Sequence, residues 1–179
     1  QDALDRHVDR HDERGHELSR LLLGENGLPV LNQAGFAGWN ARYDDRGYII
    51  ARDYFGIDGR PQHTHRGFAG RRAEYDDLGH ETSVLYVDEK GQPLPAGALV
   101  QEVATDSVAE RAGIQPGDLL MVWNALPIRG SLSLQRYVEQ SRTKAVKLSI
   151  LRAGARRELR IQPGPLGVDV IDSRFPIPE

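Results

Sequence analysis

By type and spacing, the residues able to do chemistry are six histidines, a series of acidic pairs and a few serines. His63 and His65 are two apart, so on a strand both would project to one side and could share a metal ion. His7 and His11 are four apart, which suits zinc on a helix. The residues around them read as strand, however, where that spacing has no such meaning. Neither pair has a third ligand at a recognisable distance, and surface histidines are the expectation. Asp12-Glu13, Asp44-Asp45 and Asp76-Asp77 lack the alternating Asp-x-Asp-x-Asp-Gly ladder of a calcium loop. They read as turn caps. Ser107, Ser131, Ser133, Ser141 and Ser149 fall at expected caps and strands, and there is no Gly-x-Ser-x-Gly elbow. Nothing singles out the carboxylate pair of a glycosidase. The sequence predicts a non-catalytic chain with no metal site and no cofactor, and leaves open that a parent protein is an enzyme.

The bulk numbers narrow the class. The 179 residues carry a net charge of −3 with mixed signs, which gives no nucleic-acid footprint. Hydrophobic residues make up 39%, and there is no cysteine, so disulfides and thiolate chemistry are excluded. No apolar run approaches the roughly 18–20 residues that span a bilayer, so no membrane insertion is expected. The chain begins at Gln1 without Met and reads as a processed fragment.

The elements that must position any site fall into two halves. The first repeats itself at a period of 32 residues. His11-Asp12-Glu13-Arg14-Gly15 returns as Tyr43-Asp44-Asp45-Arg46-Gly47 and as Tyr75-Asp76-Asp77-Leu78-Gly79. Gly35-Phe36-Ala37-Gly38 returns as Gly67-Phe68-Ala69-Gly70. Such a period signals stacked supersecondary units. Turn chemistry flanking β-branched and aromatic runs such as Tyr48–Phe55 predicts antiparallel hairpins with arms of about 10 residues. Three strands per unit are expected. Leu22, Tyr54 and Tyr86, with Leu23, Phe55 and Val87, are the expected core between units, and Phe36 and Phe68 the repeated anchors. Ala3-Leu4 aligns with Gly35-Phe36, so the chain is expected to begin inside a repeat, with further repeats upstream. These units resemble the tyrosine-aspartate turn repeats of large bacterial proteins, which implies β-structure and a scaffold role.

In the second half, Gly97–Val103 and Leu119–Trp123 read as strands. Between them Asp106 or Ser107 caps a one-turn helix over Val108–Ala112, closed by Gly113. Pro116-Gly117-Asp118 is a turn, and Asn124 tolerates positive φ. Leu126-Pro127-Ile128 reads as a short strand. Ser133 is the expected N-cap of a helix over Leu134–Ser141. Ala145–Leu151 and Arg156–Gln162 alternate as a hairpin around Ala153-Gly154.

The order strand, short helix, Ala-Gly-Ile, Pro-Gly-Asp, strand, Asn resembles the middle of a PDZ domain. That family binds peptides, usually C-terminal ones, by adding them as a strand to a sheet edge. Pro165-Leu166-Gly167-Val168 is similar to its carboxylate-binding loop, and Val168–Ile171 to the strand that pairs with the peptide. Standing last, they imply a circularly permuted, bacterial-type PDZ domain over about residues 96–171. The resemblance implies that the backbone N–H groups of Leu166, Gly167 and Val168 receive the carboxylate. Asp169, Val170 and Ile171 would continue the pairing strand, and Leu134 and Val138 would form the helical wall. No histidine lies near Ser131–Gln135, which points to apolar ligand side chains.

The sequence therefore predicts a mainly β chain. Stacked antiparallel β-hairpin repeats (1–95) precede a PDZ-like, partly open β-barrel or sandwich with two short helices (96–171) and a tail (172–179). The expected partner is a C-terminal or extended peptide. Two other readings stand beside it: the regulatory or substrate-presenting part of a larger bacterial enzyme such as a protease, and a cap on the repeats. The bacterial cell envelope or periplasm is the expected location.

Overall fold

A computed structural model describes residues 6–141 and 143–176. The expectation for Ala3-Leu4 lies outside the described residues. Among the described residues the fold is mainly β, with two helices and antiparallel sheets that do not close into a barrel. The chain divides into two compact units, Gln1–Pro93 and Leu94–Glu179.

The first unit holds β1 (Arg6–His11), β2 (Glu17–Leu23), β3 (Gly38–Tyr43), β4 (Ile49–Phe55), β5 (Gly70–Tyr75) and β6 (Glu81–Val87). They pair antiparallel in sequence order. The arms are six or seven residues long, shorter than the length expected from sequence. The reason is local: the turn that follows β2 closes at once through Gly24 N–H to Leu28 O at 2.9 Å, and the one after β4 through Gly56 N–H to Arg60 O at 2.9 Å. The expected third strand shrinks to single bridges, Leu23 to Pro29, Phe55 to Pro61 and Val87 to Pro93. Proline has no N–H to extend a ladder.

The acidic pairs do cap turns. Asp44 Oδ1 accepts from the N–H of Arg46 and Tyr48 at 3.0 and 2.9 Å. Asp12 and Asp76 accept from the equivalent N–H groups. Each turn ends on a glycine at positive φ, and a Cβ on Gly79 would lie 2.2 Å from the Tyr48 hydroxyl of the preceding unit. Gly47 meets His16 in the same way.

The expected inter-unit core is only partly present. Val87 is buried, whereas Leu22, Leu23, Tyr54, Phe55 and Tyr86 are half-buried. The buried positions are mostly alanines, Ala37, Ala41, Ala51, Ala69 and Ala73, together with Phe68. Neighbouring hairpins join edge to edge through β2–β3 and β4–β5, and small side chains suit that close approach. The larger rings form a ladder instead: Phe36 to Tyr54 at 4.7 Å, Tyr54 to Phe68 at 6.0 Å, and Phe68 to Tyr86 at 4.5 Å between centroids.

The second unit holds β7 (Ala98–Val103), α1 (Val108–Arg111), β8 (Leu119–Trp123), β9 (Leu126–Pro127), α2 (Ser131–Gln140), β10 (Val146–Arg152), β11 (Ala155–Ile161) and β12 (Val168–Asp172). Its sheet runs β11-β10-β8-β7-β12, with β9 on β8. Leu99, Leu119, Leu120, Ile128, Leu148, Ile150 and Ile161 are fully buried. Beneath them Asp118, with its side chain 1% exposed, receives Arg152 through Nε at 2.6 Å and through Nη2 at 2.6 Å. The second nitrogen also donates to Gly113 O. That bidentate pair locks the Pro-Gly-Asp turn and the end of α1 to β10. Ser107 caps α1, accepting from Glu110 N–H at 3.1 Å. Asn124 and Ala125 both take positive φ, as do Ala153 and Gly154 in the β10–β11 turn.

One helix start differs from expectation. α2 begins at Ser131, and Gly130 is its N-cap residue. Ser133 lies inside the first turn, where its Oγ accepts from the N–H groups of Arg129 and Gly130 at 3.0 and 3.2 Å. A serine that reaches back in this way caps from the third helical position, so its presence did not fix the first residue.

Candidate functional site

β12 stands at the end of its sheet, paired with β7 alone among the described residues. Its backbone alternation can be read from the bonds at its two ends. Ala104 N–H donates to Gly167 O at 2.9 Å, and Ser173 N–H to Gly97 O at 3.1 Å. A bulge between Asp169 and Val170 shifts the register by one residue of β7. Across it, Val100 directs its N–H and C=O to Asp118 and Gly117, on the β8 side. Residues opposite one another in an antiparallel ladder alternate between bonded and unbonded pairs. Asp169 and Ile171 are therefore bonded to β7, while Val168, Val170 and Asp172 turn their N–H and C=O to the outer edge. The extra residue lies in β7, so Val168 and Val170, two apart on an uninterrupted β12, face one way. Their side chains pack against the core that contains Leu134, and half-buried Val138 packs there too.

The loop before β12 is fixed from beneath. Leu166 is 4% exposed, and its carbonyl accepts from Ala109 N–H of α1 at 2.9 Å. Gly167 takes φ +76°, and a Cβ there would lie 2.4 Å from Ser107 Cβ. Both the conformation and the space demand glycine. With the carbonyls of Leu166 and Gly167 held inward, the N–H groups of Leu166 and Gly167 donate to no acceptor among the described residues. The Val168 N–H, on the outer edge of β12, stands next to them. Such a run of unoccupied N–H groups can receive an anion.

At the other end of β12, Asp172 Oδ1 accepts from Ser131 N–H at 2.6 Å. This carboxylate sits at the first turn of α2, where a negative charge is favoured, and fastens that helix beside β12. Asp172 was expected to open a tail; it is the last residue of β12. The next residue, Ser173, is 1% exposed and donates through its hydroxyl to Pro95 O at 2.7 Å. Sequence reasoning missed the roles of Asp172 and Ala109. Their roles depend on partners far along the chain, and no local pattern marks them. Leu134, expected as a wall, is 4% exposed and belongs to the core. No cluster of three metal-binding side chains occurs among the described residues. His63 instead faces Glu89 at 3.0 Å, and His65 Nδ1 lies 3.0 Å from Gln33 O.

No family model matches the chain. Among curated proteins it is similar to HhoA of Synechocystis, named as a serine protease, at 42% identity over 71 residues. That match covers 39% of this chain and 18% of the relative. A DegP-like protein of Pseudomonas putida, named as a periplasmic serine endoprotease, is 37% identical over 83 residues. Here the shares are 46% of this chain and 17% of the relative. MamE of Paramagnetospirillum magneticum, named as a magnetosome formation protease, is 30% identical over 81 residues, which is 45% of this chain and 11% of the relative. The chain thus matches less than a fifth of the length of these relatives. They are serine proteases of the DegP/HtrA kind, matched through a part that fits a PDZ-type region.

Proposed function

We propose that the second unit is a circularly permuted PDZ-type module that captures a peptide C-terminus by strand addition. The peptide adds to the outer edge of β12, pairing with the backbone of Val168, Val170 and Asp172. Its carboxylate is received by the N–H groups of Leu166, Gly167 and Val168, and its apolar side chains rest against Val168, Val170 and Val138. The observation that carries this reading is the outward backbone of β12, joined to a loop whose glycine tolerates no side chain. The sequence-based pairing set of Asp169, Val170 and Ile171 shifts accordingly, because Asp169 and Ile171 spend their backbone groups on β7.

The test uses one peptide with an apolar C-terminus as free acid and as amide. Amidation removes the charge that the loop receives and should weaken binding about tenfold or more. Gly167→Ala should do the same by distorting the loop. Equal affinity of acid and amide means that the loop does not hold a carboxylate.

A second reading accompanies the first and rests on the relatives. We propose that this chain is a non-catalytic, substrate-presenting part of a larger serine endoprotease of the bacterial envelope. The matched lengths, 71 to 83 residues, suit the size of the second unit. A full reading frame without a serine protease domain would overturn it.

A further inference from the structure

We propose that the first unit carries a binding cleft for a small organic anion, a carboxylate or phosphate on a flat ring-sized body, centred on Arg52. The cleft has a volume of about 340 Å³ and is lined by Arg52, Arg71, Tyr48, Tyr54 and Tyr75. That volume lies at the small end of ligand sites, room for a single ring and its charged group.

The chain contains its own control. Arg20 and Arg52 stand at equivalent positions of successive hairpins. On β2, Arg20 is neutralised by Asp9 at 3.1 Å, directly opposite on β1, and by Glu17 at 2.8 Å. One unit later the residue opposite Arg52 is Ala41, and Ile49 stands in the place of Glu17. Both carboxylates are gone and the arginine is kept. The Arg52 side chain has no ion pair or hydrogen bond among the described residues, and its Nε is shielded from solvent without a partner. Its guanidinium carbon lies 4.5 Å from the centroid of the Trp39 ring. Stacking of that kind uses the face of the cation and leaves its N–H edge available.

The neighbourhood sharpens the argument. Arg71 stands directly opposite Arg52 across β4–β5, an arrangement of like charges that costs stability. Arg71 is answered by Glu81 at 2.5 Å; Arg52 is not. An anion seated at Arg52 would supply what Asp9 supplies to Arg20, with two oxygens matching the guanidinium fork. The body of the ligand then meets rings already in place. Tyr54 is directly opposite Trp39 on the adjoining strand, and Tyr48 stacks on Tyr75 at 4.8 Å between centroids.

The test is a titration of the full chain with benzoate, phenyl phosphate and neutral benzamide. It is followed by two-dimensional NMR through the Trp39 indole and Arg52 Nε–Hε signals. At least one anion should move both signals to saturation, and which one does so identifies the headgroup. Arg52→Gln removes the fork. Ala41→Asp rebuilds the internal carboxylate of the preceding hairpin and fills the site from within. Each should weaken binding about tenfold or more, with Ala41→Asp also raising the thermal midpoint as evidence that the pair has formed. The inference is overturned if benzamide binds as well as the anions. It is equally overturned if no probe saturates, or if anion binding survives both substitutions.

Discussion

The two units solve the same problem of stabilising antiparallel strands by opposite means. In the second, the fully buried side chains of Val100, Leu120, Ile128, Leu148, Ile150 and Ile161 belong to one hydrophobic cluster. In the first, among the described residues, only Val87 among the large side chains reaches that degree of burial. Every residue of β2 is half-buried, so neither face of that strand is a sealed interior. What replaces a core there is a sequence of turns, each with an aspartate and a positive-φ glycine, and at Gly47 and Gly79 a ring from the preceding repeat. A core distributes stability among many residues that all touch one another. A series of turns keeps it local, so damage should stay local as well.

The sharpest way to break this contrast is to empty one position of the hydrophobic cluster. Leu148 is 0% exposed at the middle of β10. Leu148→Ala should cost about 2–5 kcal/mol, the usual range for a buried leucine that leaves a cavity. Urea unfolding would measure it. A loss under 1 kcal/mol would mean that the second unit does not depend on a single packed interior. The comparable experiment in the first unit is Asp44→Ala. It removes two N–H bonds and the contact with Arg46 at 2.9 Å. Because that turn is half in solvent, the expected cost is well below that of Leu148→Ala. Hydrogen exchange should show faster opening around residues 43–49 with little change at β1–β2. If protection falls equally across all three hairpins, the first unit is cooperative after all.

The same contrast explains which features could be read from the sequence. Turn chemistry is local, and Asp44-Asp45-Arg46-Gly47, Asn124 and Ala153-Gly154 each announce their own geometry. The alternation of β10 and β11 was visible because a sheet with one sealed face imposes it. In the first unit no sealed face exists, so large apolar residues such as Leu22 and Tyr54 misled, and the buried positions proved to be alanines. The loop of Leu166 and Gly167 was legible through its glycine. The direction of the β12 backbone was not, because it is set by a bulge in β7 and by bonds to Gly97 and Ala104. The charge pattern around Arg52 becomes informative only once Asp9 and Ala41 are known to occupy the same place in successive ladders.

Acid should separate the units by a smaller effect, and its sign is fixed by the turns. The hydrogen bond from the His16 ring, helped by the His16 N–H, holds the Asp12 carboxyl below its usual value. At Asp76 the N–H of His80 is the main cause, with the His80 ring in support. At Asp44 partial desolvation pushes upward, but the N–H of Tyr48 and the Arg46 side chain outweigh it. A carboxyl whose folded value is depressed stabilises the fold above its unfolded value and loses that contribution as pH falls through the folded one. All three contributions are therefore complete at neutral pH and fade below about pH 4, near the ordinary aspartate value. Asparagine keeps the Oδ1 acceptor but does not titrate. The triple variant Asp12→Asn, Asp44→Asn, Asp76→Asn should be less stable than the parent at pH 7, and by a smaller margin at pH 3. Urea midpoints followed by the Trp39 signal would measure this. If the gap is the same at both pH values, the charge on these carboxylates contributes nothing, and the turns are held by N–H acceptance alone.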